Sequence, residues 1–149
     1  MPSASTVFVD TNVLLYARDP RDSAKQNAAA NWLARCWETR VGRLSTQVLN
    51  EMYVNLRRLT PSDSVADTRR FVKLYRDWTP WIVDDTTVDL AWLLQDRFPL
   101  SYWDALMVAS AQQLGCRYLL TEDLQHNQQM DNVQIINPFK TDVSILNGT

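Results

Sequence analysis

The chain has 149 residues, 46% hydrophobic and 21% charged, which is enough to bury a core without staples and too apolar for a disordered protein. Charges interrupt every apolar stretch, so nothing approaches the ~18 apolar residues of a membrane span; the formal charge of −2 speaks against a broadly basic surface. Three scattered glycines exclude a phosphate-binding loop or a dinucleotide fingerprint, and two cysteines with one histidine cannot assemble a Cys/His zinc set.

Taken in chain order, Met1 to Thr6 is polar and carries no basic residue, unlike a secretory signal. Val7, Phe8 and Val9 form a short apolar run that predicts a buried strand, delivering Asp10 at its C-terminal end. Val13 to Ala17 reads as a short helix ended by Asp19-Pro20. From Ser23 to Thr39, Ala28, Trp32, Leu33, Cys36 and Trp37 recur at helical spacing. Val41 to Ser45 is a candidate second strand. Cys36 and Cys116 lie far apart in hydrophobic neighbourhoods and read as reduced core thiols of a cytoplasmic protein.

Thr46 opens a helix with Val48, Leu49, Met52, Tyr53 and Leu56 on its apolar face; Glu51 interrupts that set, and Arg57-Arg58 close the helix where cations suit the dipole. A second helix over Val65 to Trp78 turns Phe71, Leu74, Tyr75 and Trp78 inward and Arg69, Lys73 and Arg76 outward. Trp81-Ile82-Val83 predicts a short strand or extended link, and Thr87 to Arg97 a helix stopped at Phe98-Pro99. Ser101 caps a helix over Tyr102 to Leu114, with Gly115 as its stop. Tyr118-Leu119-Leu120 is a buried strand running into Thr121-Glu122-Asp123, and Val133 to Ile136 is the last strand. Strands alternating with helices predict a parallel sheet covered on both faces, within one domain spanning residues 1–149.

In open α/β sheets, sites lie beyond the carboxyl ends of the strands. Asp10 and Asp123 occupy such positions; Glu51 and Asp104 lie in helices that can bring them to the same edge. Each acid also has a plain structural reading. Asp10 and Asp123 can cap the segments after them, and Ser101-x-x-Asp104 is a capping box, as are Ser64-x-x-Asp67 and Thr86-x-x-Asp89. Glu51 is too deep in its helix to cap it, which leaves a surface-facing glutamate or a metal ligand. Four gathered carboxylates raise one another's pKa values and call for a cation. One or two Mg²⁺ or Mn²⁺ ions would satisfy them and suit phosphodiester hydrolysis without histidine. Thr11, Asn12 and Thr121 would then aim the carboxylates.

Four segments carry a family resemblance: Val9-Asp10-Thr11-Asn12-Val13-Leu14-Leu15-Tyr16, Gln47-Val48-Leu49-Asn50-Glu51, Tyr102-Trp103-Asp104-Ala105-Leu106 and Leu120-Thr121-Glu122-Asp123-Leu124. Together, in this order, they resemble PIN-domain proteins, and among those the VapC-type toxins of bacterial toxin–antitoxin pairs. The resemblance implies a three-layer α/β/α sandwich with a five-stranded parallel sheet and an Mg²⁺- or Mn²⁺-dependent endoribonuclease. It implies that Asp10, Glu51, Asp104 and Asp123 hold the metal, the family pattern favouring Asp123 over its neighbour Glu122. It further implies homodimers and inhibition by a small antitoxin. Asn127 stands where similar sequences often carry glycine, and asparagine tolerates a left-handed backbone.

For RNA contact, Arg57, Arg58, Arg69, Arg70, Lys73 and Arg76 are the one dense basic stretch, read either as a phosphate-holding surface or as a solvated helix face. Tyr102 and Trp103 can stack on bases, although packing is the expectation for Trp103. His126 reads as a loop hydrogen-bonder. Two rivals remain: a catalytically silent PIN-like binding module, and an aspartate phosphoacceptor domain. The latter wants Asp-x-Asp where this chain has Asp10-Thr11-Asn12, or a lysine near the site, where only Lys140 lies near a late strand.

Overall fold

A computed structural model describes residues 5–147; the start of the segment read as unlike a signal, residues 1–4, lies outside them. Strand β1 (Val7–Val9) leads into α1 (Thr11–Tyr16) and α2 (Ser23–Thr39). Strand β2 (Gly42–Arg43) is followed by α3 (Thr46–Leu59), α4 (Val65–Leu74) and a 3₁₀ turn over Tyr75–Trp78. Then come α5 (Asp85–Arg97), α6 (Tyr102–Gln113), β3 (Tyr118–Leu120), β4 (Gln129–Met130), β5 (Val133–Ile136) and a 3₁₀ turn over Val143–Leu146.

The strands form one sheet in the order β2-β1-β3-β5-β4. Val7 stands opposite Gly42 and Tyr118, and Leu120 opposite Val9 and Ile136, all in parallel register. Successive strand residues point to opposite faces, yet Val7, Phe8, Val9, Leu119 and Leu120 are all fully buried. Helices therefore cover the sheet on both sides, as parallel strands require. Gly42 has a packing reason to be glycine: a Cβ there would stand 2.6 Å from the Trp78 ring.

Several expectations meet a more detailed outcome. The sheet is mostly parallel, because its fifth strand is the antiparallel edge strand β4, within a stretch that reads as polar loop. Of the short strand or extended link expected over Trp81–Val83, the link is what forms, with one bridge from Trp81 to Ser45. Leu74 is 54% exposed: the chain tightens into a 3₁₀ turn immediately after it, and the change of pitch brings Tyr75 and Trp78 inward while leaving Leu74 out.

Other local readings match, except the Thr86-x-x-Asp89 capping box. Ser64 and Ser101 accept hydrogen bonds from Asp67 and Asp104 backbone N–H groups. Thr86 does not cap α5; Asp84 does, accepting from Thr87. Asn127 adopts φ 68°, the left-handed backbone expected of it. Both cysteines are free and buried. His126 Nδ1 accepts from the Asn137 backbone N–H at 3.0 Å. No helix among the described residues is long and apolar enough to cross a membrane.

Candidate active site

The topology sets adjacent strand ends side by side. Because β1 and β3 pair in parallel, with Val9 opposite Leu120, Asp10 and Thr121 leave the sheet together. Asp10 occupies the N-cap position of α1, yet its side chain makes no cap hydrogen bond. Its carboxylate instead accepts from Thr121 Oγ1 at 2.7 Å and from Asn12 Nδ2 at 3.2 Å. Asn12 Nδ2 also donates to Asp123 at 2.8 Å, and Thr121 Oγ1 receives the Asp123 N–H at 3.1 Å. The two strand-end acids are thus tied together by one amide and one hydroxyl.

The helices supply the rest. Thr11 Oγ1 donates to Glu51 at 2.8 Å, and Gln47 Nε2 reaches the other Glu51 oxygen at 3.0 Å. Asp104 lies in the first turn of α6, aligned by the Ser101 cap. Asp10, Glu51, Asp104 and Asp123 all line one pocket of about 200 Å³. Glu122 faces elsewhere: it pairs with Lys25 Nζ at 2.8 Å and accepts from the Tyr16 hydroxyl, which leaves Asp123 as the acid beside Asp10.

The pocket's electrostatics reflect crowding. Burial, helped by the charges of Asp123 and Glu51 and opposed by the Thr121 hydrogen bond, pushes Asp10 up to about 7. Burial, with Asp123 and Glu51 behind it, also raises Asp104. The four acids offer only oxygen donors, and two further oxygens on residues lining the pocket, Asn12 Oδ1 and Gln47 Oε1, are buried without a hydrogen-bond partner among the described residues. Such a set fits a hard divalent cation, which would satisfy acceptors and relieve carboxylate repulsion at once. Among the described residues no three acidic, His or Cys side chains stand drawn together as a finished metal cage; Glu51 and Asp123 are instead engaged by Thr11, Gln47 and Asn12.

The basic stretch does not line this pocket. Arg57 donates to the Asp63 carbonyl and to Thr68, Arg70 pairs with Asp67, and Arg69 stands over the Tyr53 ring. Trp103, expected to pack, is 61% exposed on the pocket rim, and its carbonyl accepts from Gln47. Gln47 has a role in the site that the sequence reading does not assign. Its position four residues before Glu51 puts both on one helix face, and that spacing is the signal that points to it.

The PIN domain profile matches residues 7–130. The chain belongs to the PIN-domain family. No curated protein sequence matches this PIN domain significantly, but solved structures do. VapC20 of Mycobacterium tuberculosis, a sarcin–ricin-loop-cleaving toxin, is 21% identical with a TM-score of 0.56, over 76% of this chain and 87% of its own. A toxin–antitoxin complex from Klebsiella pneumoniae is 18% identical with a TM-score of 0.60, over 90% of this chain and 98% of the other. VapBC2 of Rickettsia felis, bound to a promoter DNA fragment, is 13% identical with a TM-score of 0.56, over 87% and 96%. At such identities the likeness is one of fold.

Proposed function

We propose that this PIN domain is a metal-dependent endoribonuclease, the toxin of a toxin–antitoxin pair, in which Asp10, Glu51, Asp104 and Asp123 hold one or two Mg²⁺ or Mn²⁺ ions. The observation that carries this reading is that four acids from four separate segments line one pocket. A bound divalent ion supplies a polarised phosphoryl oxygen and a more acidic water. Asp10, desolvated and fixed by Thr121 and Asn12, contributes a carboxylate that gives up its proton on loading. Thr11 and Gln47 orient Glu51, and Asn12 orients Asp123. Hydrolysis adds water across one P–O bond of the RNA, and a pocket carboxylate takes the proton that the attacking water loses.

Structural neighbours that are toxins or toxin–antitoxin complexes support an antitoxin partner; a homodimer working in the cytoplasm belongs to the same proposal. The test is cleavage of total RNA with Mg²⁺ or Mn²⁺ added. The wild-type chain cleaves, EDTA stops it, and Asp10→Asn and Asp104→Asn are inactive while still folded. Undiminished cleavage by either variant refutes the reading. Metal-independent binding of RNA without cleavage would favour a catalytically silent module.

A further inference from the structure

The acidic pocket adjoins a larger groove of about 680 Å³, within the roughly 300–1,000 Å³ typical of small-molecule sites. The two share Asn12, Leu15, Asn55 and Asp123 as wall residues. Away from that shared wall, the lining adds Tyr16, the apolar Pro20 and Leu59, and the cations Arg21 and Arg58.

The charges along it are asymmetric once their partners are counted. Glu122 is neutralised by Lys25 at 2.8 Å. Asp19 is paired with Arg21, which uses Nε and Nη2 for the purpose and keeps Nη1 free among the described residues; the Arg21 side chain is 78% exposed. Arg58 is exposed and has no hydrogen bond or ion pair among the described residues. With these pairs set aside, Arg58 is the lining cation left without an ion pair among the described residues.

Resting on the nuclease reading, we propose that this groove is the subsite for the nucleotide next to the scissile phosphate. Arg58, with the free edge of Arg21, grips its phosphate, and Leu15, Pro20 and Leu59 bury one face of its base. Leu15, Pro20 and Leu59 offer a base no hydrogen-bonding side chain to read, so the subsite positions the strand and leaves sequence choice to other contacts.

The test is fluorescence anisotropy of a labelled, random-sequence single-stranded RNA dodecamer on Asp10→Asn protein, which binds without turnover, across a salt series. Adding Arg58→Ala weakens binding about tenfold and makes the log–log salt slope shallower by about 0.7, the value of one phosphate contact on a single strand. Arg58→Lys keeps the slope, since it keeps the charge. Arg76→Ala, on the far face, changes neither. Unchanged affinity and slope with Arg58→Ala overturns the proposal and leaves the groove to a polypeptide; an equal loss with Arg76→Ala overturns it in favour of the helix face. Cleavage of total RNA by the wild type is run beside it. Cleavage with an Arg58-independent affinity defeats the subsite alone, whereas no cleavage by the wild type defeats the nuclease reading beneath it.

Discussion

At Asp10 the folded protein favours the neutral acid, from burial first and then from Asp123 and Glu51. Its pKa rises from an ordinary 3.8 to about 7, so between those values the folded chain holds a proton that the unfolded chain has lost. Without metal, this group stabilises the fold at pH 4 and loses that contribution as pH rises through about 7, a swing of at most roughly 4 kcal/mol. Asp10→Asn removes the titration. Urea midpoints in EDTA should show wild type falling behind Asp10→Asn from pH 4.5 to 8; parallel curves would contradict the crowding account. Thr121 is a second lever at this scale, since its buried hydroxyl serves both Asp10 and Asp123. Thr121→Val should lower metal affinity or cleavage about 10–100-fold, read from the Mn²⁺ dependence of the rate, with the circular dichroism spectrum preserved. A normal metal dependence would reduce Thr121 to a packing residue.

The elements act on the site through their ends. Helix α6 begins with the Ser101 hydroxyl accepting from Asp104 N–H at 3.1 Å, so one hydrogen bond both caps the helix and aligns its first acid. Ser101→Ala should cost about 1 kcal/mol of stability. Cleavage, measured where both proteins are fully folded, should fall further than in Ser101→Thr, which keeps the cap. Equal activity in the two variants would separate the cap from the site. Helix α3 works differently: Glu51 sits past its first turn, where Gln47 and Thr11 engage both carboxylate oxygens.

Across the whole molecule, four acids from separate segments face one another only because the chain is folded. A cation bound among them therefore stabilises the fold, by about 2.7 kcal/mol at a concentration one hundred times its Kd. For a chain of this size that is a melting shift on the order of 5–10 °C. Mn²⁺ should raise the Tm of the wild type and EDTA should reverse it, while Asp10→Asn shows little response. A Tm indifferent to Mn²⁺ in the wild type would count against a metal site in this pocket.

The features that the sequence determined by itself are those that depend on near neighbours along the chain. The span Ser23–Thr39, the Ser64 and Ser101 caps, the left-handed Asn127 and the strand runs ahead of Asp10 and Thr121 all rest on local backbone preference and apolar periodicity. Tertiary structure decided the rest. The two-residue strand β4 exists only because β5 lies beside it, and Leu74 is turned outward by a change of helical pitch. The partner that engages Glu122 outside the acidic pocket is Lys25, 97 residues away. In the same way, the free Arg58 and the engaged Arg57 and Arg70 look alike in the sequence. Charges are neutralised by whichever partner packing brings within a few ångströms, and that distance is set by the fold.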